Sequence, residues 1–293
     1  MSTNKVENIL VTGANGQLGS EIKDVSKSYP QWEFFFTDAD ALDITDKFAL
    51  ENFVRQNHIS AIINCAAYTN VDGAESEIEL SDAVNHLAVR HIAEISKENN
   101  IKFVHISTDY VFKGNTYIPY SEGDSTDPVN GYGLSKLKGE KAMQRVNPQD
   151  SIIIRTSWVY SEYGNNFVKT MLRLSQSRES LQVVFDQIGA PTYAKDLAKM
   201  ILSILPQIKN ENIEVYHYSN EGAISWFDFA KAIFELEDLQ CVIHPIRTEQ
   251  YPTKASRPRY SLMDKSKIKQ HFDIDIPYWR TSLQSALMRM RES

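Results

Sequence analysis

Along the first half of the chain, short unbroken apolar runs are separated by segments whose apolar residues recur three or four apart. The runs Asn8–Thr12, Glu33–Thr37, Ala61–Cys65, Lys102–Ser107 and Ser151–Thr156 have the length and polar boundaries of buried strands. The intervening periodicity predicts helices. One covers Gln17–Ser28, with Leu18, Ile22 and Val25 on one face. A second is capped by Thr45 and continues through Phe48, Leu50, Phe53 and Val54, with Asp46 at its dipole-favoured start. A long helix spans about Ile78–Asn99, and another Tyr132–Arg145. Fully apolar strands alternating with amphipathic helices predict a parallel sheet covered on both faces, a doubly wound (Rossmann) α/β fold.

After Thr156 the alternation loosens. Helices are expected at Asn166–Gln176, Lys195–Leu205, Trp226–Leu236 and Thr281–Arg291, with strands at Leu181–Phe185 and Val215–Tyr218. Pro245–Arg259 is rich in proline and basic residues. The expected organisation is a dinucleotide-binding domain over 1–156, to which 194–220 returns. A smaller mixed α/β substrate domain is expected from 157–193 and 221–293, with a cleft between the two.

Composition narrows the function classes. The 293 residues are 42% hydrophobic and 24% charged, with net charge −7 and no basic stripe, which argues against nucleic-acid binding. The two cysteines, Cys65 and Cys241, have no metal-ligand spacing, and Cys65 reads as a small buried strand residue. A polar start without a signal-peptide pattern, and no apolar run of membrane-spanning length, lead to the expectation of a cytoplasmic protein without membrane contact.

The candidate chemistry lies where the predicted strands end. Gly13-Ala-Asn-Gly16-Gln17-Leu18-Gly19 follows the first strand and opens a helix, the place where a dinucleotide pyrophosphate meets free backbone N–H groups. Its G-x-x-G-x-x-G spacing departs from the usual G-x-G-x-x-G, and an ordinary turn would also fit. Asp38, nineteen residues beyond Gly19, stands where an acidic residue holds the adenosine ribose. Its charge leans toward NADH, although Asp40 and Asp43 crowd the same loop. Ser107-Thr108-Asp109-Tyr110 ends the fourth strand, so a hydroxyl there can reach a reacting carbonyl or simply cap a turn. Tyr132 and Lys136 share a helix face. A nearby ammonium lowers a phenol's pKa, which would suit the pair to proton transfer at an alkoxide or alcohol.

Glycine turn, strand-end hydroxyl and Tyr-x-x-x-Lys occur in functional order. Together they resemble the short-chain dehydrogenase/reductase superfamily, in its extended branch acting on nucleotide sugars. Ala66-Ala-Tyr-Thr-Asn-Val-Asp72, Ser107-Thr-Asp-Tyr-Val-Phe112, Arg155-Thr-Ser-Trp-Val-Tyr160 and Asp186-Gln-Ile-Gly-Ala-Pro-Thr192, with Arg257-Pro258, narrow the resemblance to the dTDP-4-dehydrorhamnose reductase family across nearly the whole chain. The resemblance implies NADPH or NADH as cofactor, with the diphosphate on Gly16, Gln17 and Leu18. It implies Asp38, Asp43 and Ile44 near the adenosine, and Ala67, Tyr68 and Thr69 along the nicotinamide ribose. Thr108 would polarise the ketone and Tyr132 would donate the proton, while Lys136 would also bind the ribose. Thr108, Asp109, Trp158 and Arg257 would contact a nucleotide-sugar substrate, with Gln187 and Thr192 as further candidates. Trp158 would equally fit a core, and Arg257 a surface ion pair.

The implied reaction reduces the C4 ketone of dTDP-4-dehydro-β-L-rhamnose, in the biosynthesis of dTDP-rhamnose and surface polysaccharide. Some members of the family bind Mg²⁺ through interface glutamates. Glu21 is a candidate, but the basic C-terminus speaks against it, and no metal site is expected. A homodimer is expected. Two other readings share the pattern. A non-catalytic dinucleotide-binding subunit, like that of methionine adenosyltransferase, would not oxidise cofactor. A nucleotide-sugar epimerase or dehydratase fits less well, since Thr108 is followed by Asp109-Tyr110 and not the Asp-Glu pair of a dehydratase.

Overall fold

The computed structural model describes residues 6–292. In chain order the first half forms β1 (Asn8–Thr12), α1 (Gln17–Ser26), β2 (Glu33–Thr37), α2 (Lys47–Gln56), β3 (Ala61–Asn64), α3 (Ile78–Asp82), α4 (Ala88–Asn99), β4 (Lys102–Thr108), α5 (Gly131–Val146) and β5 (Ile152–Thr156). The second half forms β6 (Val159–Tyr160), α6 (Phe167–Ser175), β7 (Ser180–Val184), β8 (Ile188–Gly189), β9 (Thr192–Tyr193), α7 (Ala194–Ile204), β10 (Glu214–His217), β11 (Ile224–Ser225), α8 (Trp226–Leu236), β12 (Val242–Ile246), α9 (Ser266–Phe272) and α10 (Trp279–Glu292).

Six strands make one parallel sheet in the order β10-β5-β4-β3-β1-β2. Its residues divide with period two. Ile9, Val11, Ile63 and Ile154 face a core completed by α1 and α7, and Leu10, Ile62 and Ile153 face one completed by α2, α4 and α5. All seven are fully buried, and each such side chain contributes about 1.5–3 kcal/mol. The chain runs outward from β1 to β2, then crosses back to β3, so the strand order reverses between β1 and β3. Ligands of doubly wound sheets bind at that switch point, beyond the carboxyl ends of the strands.

Helix α2 begins one residue later than expected. Asp46 is its cap and accepts from Ala49 N–H, while Thr45 donates to Asp43. An N-cap carboxylate also complements the helix dipole, so Asp outcompetes the neighbouring Thr here. The long helix around 78–99 contains a π-turn at Ala83–Leu87. Neither β12 nor α9 was apparent from periodicity. Strand β12 pairs with β7 in parallel despite Pro245, at the edge position where proline is tolerated.

A separate core gathers Tyr160, Val168, Tyr193, Phe229, Ile233 and Leu283 from segments on either side of α7 and β10. It meets α1 through a buried polar cluster. Ser161 donates to Glu21 (2.7 Å), Tyr193 donates to Glu162 (3.1 Å), and Arg289 pairs with both Glu162 and Asp24. Burial raises the Glu21 carboxyl well above its ordinary 4.5, and Glu162 adds to the rise while Ser161 and Arg289 oppose it. The folded protein thus keeps a proton that the unfolded chain releases. This stabilisation is complete below the unfolded value and declines as pH rises from there through the folded value. Glu21→Gln is expected to flatten that decline in thermal midpoint, and an unchanged slope in the variant would refute the retained proton.

Candidate active site

A cavity of about 690 Å³ lies at the switch point, and most of the residues expected at the site line it. Gly13, Gly16, Gln17 and Leu18 form its floor at the start of α1. Gly13 has φ +66, and a Cβ there would lie 2.5 Å from Ala66 N, so the loops after β1 and β3 touch through glycine. Gly19 lies beneath the cavity, and its Cβ would fall 2.4 Å from Gly13 O. The α1 N-cap, Gly16, supplies no side-chain cap, which leaves first-turn N–H groups available to an anion. Gly13→Ala is expected to weaken NADPH binding by about tenfold or more, ~1.4 kcal/mol. Fluorescence titration measures this, and an unchanged affinity would contradict the close approach.

Asp38, Asp43 and Ile44 line one end of the cavity. The Asp38 carboxylate accepts from Asn15 N–H (2.9 Å) and Ala39 N–H (2.8 Å), tying the glycine turn to the end of β2. Ala67, Tyr68 and Thr69 form the wall after β3. That loop is held by Asn85 in the π-turn, which accepts from Tyr68 N–H (2.9 Å) and donates to Tyr68 O (3.0 Å). Cys65, Val84, Ile106, Thr156 and Val159 line the cavity as well, and the sequence reading did not place them there. Lying singly in strands, a helical turn or a strand end, they carry no local sign of a ligand.

Thr108, Tyr132 and Lys136 also line the cavity. Thr108 ends β4. Its hydroxyl accepts from Tyr110 N–H (3.2 Å) and donates to Asp109 (3.0 Å). Ser107 lines the cavity too, but its hydroxyl is committed to Glu140 (2.5 Å), whereas the Thr108 hydroxyl stands beside the Tyr132 phenol. Helix α5 starts from an Asn130 cap that accepts from Gly133 N–H (2.8 Å). This sets Tyr132 in the first turn and Lys136 one turn on. Gly133 is required because a Cβ would lie 2.2 Å from Tyr110 O.

The electrostatics differ from the simple tyrosine–lysine pair. Lys136 does not depress the Tyr132 pKa. Its Nζ turns back to β4, donating to Ile106 O (2.6 Å) and lying 3.4 Å from His105 Nε2. Desolvation pushes the Tyr132 phenol up to about 12, with the Thr108 hydroxyl pulling it down in part, so Tyr132 holds its proton. Burial lowers Lys136 to about 8, opposed by Glu140 and Cys65. Burial also lifts Asp109 to about 6, while the hydroxyls of Ser261 and Thr108 hold it down in part.

The other expected substrate residues lie away from the cavity wall. Asp109 is buried under Thr108. Trp158 has φ +48 and stacks on Trp226 at 3.7 Å, close against Gly189 and packed on the second core. Arg257 makes a bidentate pair with Asp72 (3.0 and 2.9 Å), joining the loop after β3 to the chain after β12. Gln187 donates to Thr248, and Thr192 accepts from Thr156. Among the described residues, no group of three or more His, Cys, Asp or Glu is arranged to hold a metal ion, and no helix is long and apolar enough to cross a membrane.

A glycine-turn cavity at the sheet's switch point, with threonine, tyrosine and lysine at its wall, defines a short-chain dehydrogenase/reductase of the extended type. Residues 7–292 match the family model described as RmlD substrate binding domain, and the chain belongs to that family. It is 41% identical to dTDP-4-dehydrorhamnose reductase of Aggregatibacter actinomycetemcomitans, covering 94% of this chain and 97% of that one. It is 39% identical to the spore coat polysaccharide biosynthesis protein SpsK of Bacillus subtilis, covering 95% and 96%. Among solved structures, dTDP-4-dehydrorhamnose reductase of Bacillus anthracis in complex with NADP superposes with a TM-score of 0.92 at 38% identity, covering 97% of this chain and all of that one (100%).

Proposed function

We propose that the protein reduces the C4 ketone of dTDP-4-dehydro-β-L-rhamnose to dTDP-β-L-rhamnose with NAD(P)H. The observation that carries this reading is that Thr108, Tyr132 and Lys136 line the same cavity as the glycine turn. Gly13, which lets the loops after β1 and β3 touch at the cavity floor, and the free N–H groups opening α1 suit a dinucleotide diphosphate. When bound, the nicotinamide cofactor supplies the hydride that reaches C4. Thr108 releases Asp109 and donates its hydroxyl to the ketone oxygen, favouring the developing negative charge. Tyr132, kept protonated by its surroundings, delivers its proton to that oxygen, and the phenol is restored from solvent. Lys136 would hold the nicotinamide ribose. Asp38, Asp43 and Ile44 receive the adenosine end, and Ala67, Tyr68 and Thr69 the ribose side.

Residues 157–193 and 221–293 form the substrate body in this reading. Asp109 supports Thr108, and Trp158 and Arg257 shape the cleft through Trp226 and Asp72. In this reading the enzyme works in the cytoplasm as a homodimer. The test follows absorbance of NADH and of NADPH with the keto-sugar. Oxidation dependent on the sugar is expected; cofactor binding without oxidation would favour a dinucleotide-binding subunit instead.

A further inference from the structure

The reading of Lys136 as a ribose-holding residue leaves its buried side unexplained, where His105 is fully enclosed. A chain of hydrogen bonds fixes the protonation of that imidazole. Asn64 Oδ1 accepts from Ala66 N–H (3.1 Å) and from the Thr12 hydroxyl (2.7 Å). A backbone N–H can only donate, so the atom it meets must be the amide oxygen. Asn64 Nδ2 therefore faces His105 Nδ1 (3.3 Å) as a donor, and Nδ1 must be the acceptor. A neutral imidazole then carries its proton on Nε2, which lies 3.4 Å from Lys136 Nζ.

An ammonium has three N–H groups and no acceptor. On its buried side, Lys136 finds Ile106 O as acceptor, while His105 presents a donor. We propose that His105 is a positioning residue: pinned as the Nε2–H tautomer by Asn64, it denies Lys136 a second inward acceptor and turns the remaining ammonium N–H groups into the cofactor cavity. The same donor can bond Lys136 once that residue becomes a neutral amine, so His105 also favours proton loss. Burial and the Lys136 charge keep His105 neutral, its pKa well below 6.5. The other groups acting on Lys136 are Glu140 of its own helix, which pairs with Arg155, and the Cys65 thiol after β3, whose pKa burial raises. Tyr132 on the same helix is protonated. None of these offers the imidazole's directional N–H.

Asn64→Asp reverses the arrangement. One carboxylate oxygen keeps Ala66 N–H, the other accepts from His105 Nδ1–H, and Nε2 becomes an acceptor for Lys136. Nitrogen-15 NMR of labelled histidine, with His105 assigned by loss of its signals in His105→Gln, reads the tautomer directly. The unaltered protein is expected to show the neutral Nε2–H form from pH 6 to 9, and Asn64→Asp the Nδ1–H form. With Lys136 drawn inward, the Kd for NADPH by fluorescence titration should rise about tenfold at pH 7. The pH above which binding weakens should move up by about one unit. His105→Phe adds no charge and should shift that pH the same way by less. An Nδ1–H or charged imidazole in the unaltered protein overturns the proposal, as does an unchanged Kd and pH dependence in a tautomer-switched variant. Failure of the keto-sugar assay would instead strike the proposed activity, because neither the NMR nor the titration depends on turnover.

Discussion

Tyr132→Phe is expected to reduce turnover by about 10²–10⁴-fold while the Kd for NADPH stays within about twofold. The substitution removes one hydroxyl and keeps the ring, which meets Tyr110 edge-on at 5.7 Å. The start of α5 should therefore be undisturbed. What disappears is the proton for the reduced oxygen, since no other acid on the cavity wall is equivalent. Lys136 keeps one N–H on Ile106 O and offers the others to the cofactor, and Asp109 is buried behind Thr108. Steady-state assay and fluorescence titration on the same preparation separate the two effects. Turnover near that of the parent would remove Tyr132 from the proton-donor role.

The largest expected loss of stability comes from Glu140→Ala. Glu140 and Arg155 are 1% and 4% exposed and joined by two hydrogen bonds, at 3.0 and 2.7 Å. Ser107 donates to the same carboxylate, and the Arg155 guanidinium lies over Phe112 at 5.0 Å. Truncating the acid leaves a buried cation without its counter-charge, at a cost of about 3–5 kcal/mol. That is a large share of the ~5–15 kcal/mol stability of a typical domain. Urea unfolding should show it as a lowered midpoint, with Glu140→Gln intermediate because it keeps an acceptor. A loss below about 1 kcal/mol would mean the surroundings already neutralise Arg155. The exposed Arg291–Glu237 pair should matter far less when broken, since solvent screens it.

The sheet was legible because each strand is a continuous apolar run and each covering helix shows a single apolar face. Ile9-Leu10-Val11 and Ile152-Ile153-Ile154 admit little else. Strand β12 escaped because its residues are mostly exposed and include Pro245, and its pairing depends on β7, about sixty residues earlier. The glycine turn and the tyrosine–lysine pair announced themselves through spacing, since Gly13–Gly19 and Tyr132–Lys136 are local patterns. The groups that orient them did not. Asn64, Asn85, His105 and Glu140 are isolated polar residues within apolar or helical segments, and their partners arrive from distant parts of the chain. The direction of Lys136 Nζ was invisible for the same reason. Helical spacing brings two side chains to one face but does not say which acceptor the longer one will choose.

The sheet acquires its last strand late. β10 pairs with β5 only after the chain has passed through α6, β7 and α7. During synthesis, Ile152–Thr156 is therefore an open edge until residues 214–217 leave the ribosome, the kind of edge on which nascent chains aggregate. Chains halted near Ser203 should be cleaved by protease around the β4–β5 region. Those extending beyond Tyr218 should resist, which would place the decisive folding step in the final third of translation.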